Sequence, residues 1–324
     1  MSSKTVVIAH SFISENASKD DLDVLEQVNV IDKALIELGY STVIYPFPSD
    51  LGKVIRDLKK INPDFIFNLV EVLENDGQLI HIAPSIFEHL KIPYSGCLKD
   101  AIYLTSGKIT SKRILKSAGI PTPEWFCINK MNENTFAPDE RYIIKAVWEH
   151  ASIGLDEDSV VNVKNKETLK ELILKQSAKM DKEFFAERYI DGREFNVAIL
   201  AGEVLAVPEM TFVGYGEDKV KVVGYRAKWE ENSYEFNNTC RVFELTEKDK
   251  DLIEEMKKIS LDCWDLFELK GYARVDFRVD NNNRPWVLEV NTNPCISPDS
   301  GFYEATKHAG MNFSDVIDKI IKDI

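Results

Sequence analysis

Several familiar signatures are missing from this 324-residue sequence. No G-x-G-x-x-G follows the first apolar run, where the chain reads His10-Ser-Phe-Ile-Ser14, and this removes most support for a dinucleotide-binding dehydrogenase. No C-x-x-C pair occurs, and the five cysteines (97, 127, 240, 263, 295) are scattered and odd in number. That pattern fits unpaired thiols in a reducing cytoplasm and excludes a zinc or disulfide framework. No apolar run approaches the length of a membrane span, and the one near the N-terminus is too short for a secretory signal. Positive charge is also short, with 40 Lys and Arg against 54 Asp and Glu, giving a net charge of −14. Nucleic-acid and anionic-membrane partners are therefore disfavoured, and any anionic ligand must be held by local lysines and arginines. Hydrophobic content of 44% and charged content of 29% are ordinary for a soluble, cytoplasmic globular protein of about two domains.

Strand and helix patterns alternate over the first hundred residues. Strands are expected at Val6–Ala9, Thr42–Tyr45 and Phe65–Val70, and helices near Asp20–Leu38, Asp50–Lys60 and Leu79–Leu90. This alternation predicts a parallel α/β unit. A helix over Thr105–Ala118 ends at Gly119-Ile-Pro-Thr-Pro123. Strands then follow at Trp125–Ile128, Tyr142–Val147, Phe184–Tyr189, Glu194–Leu200 and Val204–Thr211, with helices at Lys166–Ala178 and from a Thr246 cap to Phe267. The second part reads as α+β with antiparallel sheets.

Gly271–Pro294 carries a hairpin signal, two alternating runs around an Asn cluster. With Asn282-Asn283 as a two-residue loop, Arg274 faces Asn291, Asp276 faces Glu289 and Arg278 faces Val287. The opposite face is then apolar, with Val275, Phe277 and Val279 against Val290, Leu288 and Trp286. Like charges directly opposed on a sheet repel. Asp276, Glu289 and the Asn291 amide oxygen therefore suit a hard cation such as Mg2+ that also holds phosphates. The plain alternative is a polar strand face in water.

Four further groups carry chemistry-bearing residues. Lys108 lies in Thr105-Ser-Gly-Lys-Ile, and Lys145 ends an aliphatic strand, where it must meet an anion or snorkel outward. Glu149-His-Ala-Ser-Ile-Gly154 is a small-residue loop able to cradle phosphate or simply to leave a strand. Glu187 and Glu194 flank a turn. Lys228 sits in Tyr225-Arg-Ala-Lys-Trp229, where a surface lysine is the ordinary reading.

In their order, these segments resemble the ATP-grasp ligases, and specifically the D-alanine–D-alanine ligases. Thr105–Trp125 resembles their helix and GIPTP turn, Phe185–Leu200 their adenine hinge and ribose strand, Tyr225–Trp229 their YxAKY loop, and Gly271–Pro294 their metal strand pair. The likeness spans roughly residues 92–310. It implies a parallel α/β domain over 1–98, a central ATP-grasp subdomain over 99–190 and a C-terminal subdomain with the metal site over 191–324. It further implies that Lys108, Lys145 and Ser152 bind ATP phosphates, that Glu187, Arg188, Tyr189 and Ile190 form the adenine hinge, and that Glu194 holds the ribose. Lys228 would meet the γ-phosphate, Asp276, Glu289 and Asn291 would hold two Mg2+ ions, and Arg274 would stabilise the anionic intermediate. Ser300 matches a serine for the second substrate's carboxylate. The expected chemistry is attack of a carboxylate on ATP to give an acyl phosphate, then attack on it by an amine. A homodimer is also implied.

Departures gather on the first-substrate side. Ser11–Lys19 replaces a Gly-Gly loop and a glutamate that, in the family, binds the first D-alanine's ammonium within a Glu–Ser–Tyr triad. The triad serine aligns with Ala151 and its tyrosine with Trp229. Glu71 stands at a family histidine, and Cys295 at a family glycine. The expectation is an ADP-forming ligase making a dipeptide or related amide from amino acids other than two D-alanines, with Glu71 and Glu149 taking a substrate ammonium. Three other readings predict different products: a genuine D-alanine–D-alanine ligase, a non-catalytic ATP-binding regulator, and a phosphotransferase to a hydroxyl.

Overall fold

The computed structural model describes residues 3–14, 17–128, 135–149, 152–216 and 218–324. Strands β1 (Thr5–Ser11), β2 (Ser41–Phe47) and β3 (Phe65–Leu69) form a parallel sheet in the order β2-β1-β3. Helices α1 (Lys19–Glu37), α2 (Leu51–Ile61) and α3 (Ile82–His89) connect and cover it. Side chains alternate across β1, so Val7 and Ala9 pack with Val54, Leu58 and Phe87, while Val6 and Ile8 pack with Val28 and Ile31. The third predicted helix is shorter than expected, because a 3-10 turn at Gly77–Leu79 precedes it.

The helix expected over Thr105–Ala118 is instead two, α4 (Lys99–Ser106) and α5 (Lys108–Ser117), broken at Gly107. Gly107 has φ −80° and ψ 98°, outside the helical region, and Trp148 packs so close that a Cβ there would lie 2.6 Å from its ring. Strands β4 (Trp125–Phe126), β5 (Arg141–Ala146), β6 (Val160–Asn162) and β7 (Phe184–Arg188) form an antiparallel sheet in the order β4-β7-β5-β6. Helix α6 (Lys166–Met180) seals it with Leu169 and Ile173.

A third sheet runs β11-β10-β8-β12-β13, antiparallel throughout, from β8 (Arg193–Leu200), β10 (Glu209–Phe212), β11 (Thr239–Val242), β12 (Tyr272–Val279) and β13 (Pro285–Thr292). The short β9 (Glu203–Val204) pairs with β8, and the strand expected over Val204–Thr211 is interrupted before Glu209 where Pro208 lacks a ladder N–H. Short helices α7 (Tyr225–Trp229) and α8 (Tyr234–Asn238) lie between β10 and β11. Helix α9 (Lys250–Leu266) backs the sheet through Leu252, Met256 and Cys263. The chain returns to the first sheet through α10 (Gly301–His308) and α11 (Phe313–Lys322), where Phe302 and Ile317 share a core with Val6 and Ile8. No helix among the described residues is long and apolar enough to cross a membrane.

The β12–β13 hairpin corrects the expected register in one respect. Arg274 pairs with Asn291 and Asp276 with Glu289, as the alternation predicts, but Phe277 then pairs with Val287 and Arg278 with Trp286. Leu288 is an extra residue, a β-bulge. The turn explains it. Asp280 accepts backbone N–H bonds from Asn282 (2.9 Å) and Arg284 (3.1 Å), and Asn283 is left-handed at φ 58°. The loop is thus centred on Asn282, which alone would set Asp276 against Leu288. The bulge restores the facing carboxylates.

Candidate active site

A cavity of about 820 Å3 opens between the two antiparallel sheets and reaches the carboxyl end of the parallel one. Every residue singled out from the sequence as a binding, metal or catalytic candidate lines it. Open α/β sheets place ligands at that carboxyl edge.

One end is apolar. Ile143, Tyr189 and Val222 form a wall, with Met210 and Leu288 also lining the space. The Tyr189 hydroxyl donates to the Lys221 carbonyl (2.9 Å), tying the hinge to the loop before α7. The Arg188 side chain is held by Glu140 (2.9 and 3.1 Å), and its N–H donates to the Glu124 carbonyl (2.8 Å). Glu194 pairs with Arg278 (3.0 Å). Burial raises the Glu194 pKa above its ordinary value, with Arg278 pulling the other way.

Glu187, expected at the purine, has its carboxylate between two lysines. Lys145 approaches at 2.7 Å, and Lys112 forms an ion pair with the other oxygen. Lys112 also donates to Thr122 Oγ1 (2.7 Å), which in turn donates to the Val287 carbonyl (2.8 Å). Burial raises the Glu187 pKa, yet Lys112 and Lys145 outweigh it and hold the carboxyl below the ordinary carboxylate range. Lys112 escaped the sequence reading, because a lysine in Thr-Ser-Lys-Arg looks like surface charge.

At the polar end, the helix break at Gly107 makes Lys108 the first residue of α5. Its Nζ reaches the Glu149 carbonyl (2.5 Å) and lies 3.6 Å from Glu289. Arg274 grips both oxygens of Asp276, at 2.7 and 2.8 Å, from two residues away on one strand face. Asn196 (2.8 Å) and Asn291 (2.9 Å) complete the Asp276 shell. Asn196 lies two residues from Glu194 on β8, so strand alternation could have found it. Burial works against the Glu289 charge, but Lys108, Lys228, Lys145 and Arg274 hold its pKa far below the usual value. Lys228, at the end of α7, is depressed by burial and then by Arg274, with Glu289 opposing. Four cations thus converge on two carboxylates, leaving an excess of positive charge at this end. Ser152 is left-handed (φ 62°), and its hydroxyl donates to the Val223 carbonyl (3.0 Å).

At the far end, Ser11 Oγ accepts the N–H of Glu71 (2.9 Å) and of Val72 (3.1 Å), fixing Glu71 just beyond β3. Gln27 donates to Asp23 (3.1 Å) and, at 3.5 Å, to Glu71. Glu149 is paired with Lys182, so its carboxylate already has a cation. Cys295 Sγ donates to Asp23 (3.0 Å) and lies 2.9 Å from Ser297 Oγ. Ser300 caps α10, accepting the Tyr303 N–H (3.2 Å). Trp229 lines the cavity, whereas Ala151 and its neighbour His150 lie outside the described residues. Asp23 and Arg241 also line this end and were not singled out from the sequence.

Residues 114–322 match the family model described as D-ala D-ala ligase C-terminus. The D-alanine–D-alanine ligase of Aquifex aeolicus is 31% identical over 300 residues, covering 92% of this chain and 94% of its own. An uncharacterized protein of Sinorhizobium fredii is 28% identical over 297 residues, covering 89% of this chain and 84% of its own. Among solved structures, the D-alanine–D-alanine ligase from Bacillus anthracis complexed with ATP superposes with a TM-score of 0.74 at 23% identity, over 99% of this chain and 97% of that one. With its paired antiparallel sheets and its match over most of its length, the chain belongs to the D-alanine–D-alanine ligase family of ATP-grasp enzymes, the ADP-forming ligases that make C–N bonds.

Proposed function

We propose that this enzyme joins two amino acids, at least one of them not D-alanine, into a dipeptide or related amide through an acyl phosphate. The observation that carries this reading is the contrast between the two ends of the cavity. The nucleotide end keeps the residues that the resemblance implies, whereas the first-substrate end carries Glu71, Cys295 and Trp229 in place of the family's histidine, glycine and tyrosine.

In this reading the apolar wall of Ile143, Tyr189 and Val222 takes the purine. Ile190 faces its edge in preference to the Arg188 N–H, which already has an acceptor. Glu194 accepts the ribose hydroxyls. Lys108, Lys145 and Lys228 neutralise the phosphates, and Glu187 holds Lys145 in place rather than reading the base. The all-oxygen set of Asp276, Glu289 and Asn291 fits Mg2+, because two carboxylates beside an amide are the donors a hard cation prefers. When bound, Mg2+ supplies neutralisation of phosphate charge. Arg274, fixed by Asp276, is placed to stabilise negative charge on the reacting carbonyl. The α7 segment carrying Lys228 covers the cavity and keeps water from the acyl phosphate. Glu71 binds the donor's ammonium group. Glu149, matched by Lys182, is left with a supporting role in the wall.

Phosphate release with ATP, Mg2+ and a panel of amino acids tests the reading. Release that needs two D-alanines and nothing else would establish the narrower activity of the curated relatives. Release by ATP without any acceptor, or none across the panel, would favour a nucleotide-binding regulator.

A further inference from the structure

Arg278 is a buried cation at the nucleotide end of the cavity, and the proposed reaction leaves it without a role. It is 4% exposed, lines the cavity and stands directly opposite Glu194 across the β8–β12 ladder. Its donors reach three places. Nη2 meets Glu194 Oε2 (3.0 Å) and donates to the Lys221 carbonyl. Nη1 donates to the Gly192 carbonyl (3.0 Å), in the turn between the hinge and β8. The guanidinium carbon also lies 5.4 Å from the centre of the Tyr189 ring and 5.9 Å from that of Phe212.

Stability alone does not account for this pair. A buried ion pair seldom outdoes apolar side chains of the same volume, because both charges lose their water. What Arg278 does is keep a carboxylate charged inside the cavity wall. Burial raises the Glu194 pKa, and Arg278 is the largest influence in the opposite direction. The contact also fixes the carboxylate through Oε2, while among the described residues no hydrogen bond engages Oε1. The other two contacts hold the surroundings. The Lys221 carbonyl also accepts from the Tyr189 hydroxyl (2.9 Å). Gly192 (φ 148°) packs so tightly on β12 that a Cβ there would lie 2.0 Å from the Val279 carbonyl oxygen. One guanidinium thus joins the hinge turn, the loop before α7 and the acid proposed for the ribose.

We propose that Arg278 is a positioning residue for nucleotide selection, holding the Glu194 carboxylate where it accepts the ribose hydroxyls, so that ribonucleotides are taken over their deoxy counterparts. The proposal rests on the nucleotide reading of this end of the cavity and deepens it.

Isothermal titration calorimetry with Mg2+ and ATP, 2′-deoxy-ATP or 3′-deoxy-ATP tests it. The native enzyme should prefer ATP over at least one deoxy analogue by about tenfold, the size of one hydrogen bond to a charged acceptor. In R278M the preference should fall to about twofold. The acid limb of ATP binding should also move to higher pH, because Glu194 has lost the charge that opposed its protonation. Each preference compares two ligands on the same folded molecules, so a loss of stability cancels. R278K keeps the charge without the fork and should fall between the two; it carries the test if R278M does not fold. E194Q should show little preference, and adding R278M to it should change nothing further. An undiminished preference in R278M, or in R278K where R278M does not fold, overturns the positioning role and leaves Glu194 at the ribose. A further loss in the double variant overturns it likewise. Equal affinities in the native enzyme overturn both the proposal and the ribose reading of Glu194.

Discussion

Lys112 and Glu187 form an ion pair in which each side chain is 1% exposed, on facing elements α5 and β7. The pair is shared with Lys145, which the same carboxylate accepts at 2.7 Å. One buried acid therefore links the helix after Gly107 to the strand that carries Lys145. Removing one member of a buried pair leaves an uncompensated charge, whereas replacing both is tolerated far better. K112M is expected to destabilise the protein by about 3–5 kcal/mol, with much of this recovered in K112M/E187M. Urea denaturation of the three proteins measures it, and a K112M curve superimposable on the native one would refute the structural role.

Lys228 is expected to make the rate sensitive to alkaline pH. Burial first, and then Arg274, lower its pKa below the ordinary 10.5, so it loses its proton earlier than a surface lysine. Phosphate neutralisation needs the charged form, which is present below that pKa and lost as pH rises through it. The kcat profile should fall on the alkaline side before the usual lysine range. K228R, whose charge persists, should move that limb upward even at a reduced rate. Coincident alkaline limbs in the two profiles would assign the titration elsewhere.

Glu194 is expected to set the acid side for nucleotide binding. Burial raises its pKa, with Arg278 opposing, so as pH falls it takes up a proton earlier than an exposed glutamate. The protonated acid is a poorer acceptor for ribose hydroxyls. The affinity for ATP should weaken as pH falls through this raised pKa. E194Q should bind ATP about tenfold more weakly and lack that pH limb. Titrating a fluorescent ATP analogue at several pH values checks both statements.

Asp276 and Glu289 are expected to control metal dependence. E289Q should need about tenfold more Mg2+ for half-maximal phosphate release, because one of two anionic donors is gone. D276N should do this and also free Arg274 from its fixed orientation, so its kcat should fall further. Equal Mg2+ requirements in native enzyme and E289Q would place the metal elsewhere.

Glu71 and Glu149 should separate cleanly. E71Q is expected to raise the KM of the donor amino acid about 30-fold with little change in the KM for ATP. E149Q removes the partner of Lys182 and should lower stability without that selective effect on the donor. An unmoved donor KM in E71Q would remove Glu71 from the substrate site.

Much of this arrangement is legible in the sequence because its signals are local. Alternation in Arg274-Val-Asp276-Phe-Arg278 sets which side chains share a face, although it takes the Leu288 bulge to bring Asp276 opposite Glu289. Non-local closure is what sequence patterns miss. Lys112 looks like a surface residue until Thr122 and Glu187 close over it, and Glu149 looks available until Lys182 arrives from 33 residues away. The close packing at Gly107 involves a tryptophan 41 residues downstream. The bulge is hidden for a different reason. In Trp286-Val-Leu-Glu289, Val287 and Leu288 are both apolar, so nothing in their chemistry says which one faces the interior.

The bulge at Leu288 makes two properties of the hairpin independent. Deleting Leu288 would leave a continuous ladder with Val287 still buried and Glu289 still opposite Asp276. What would vanish is one aliphatic side chain at the nucleotide end. The fold gains nothing in regularity by keeping this residue, and its side chain lines the cavity where the proposed purine site lies. If that site takes the purine as proposed, variation at Leu288 is expected to change nucleotide affinity while the two carboxylates beside it stay aligned.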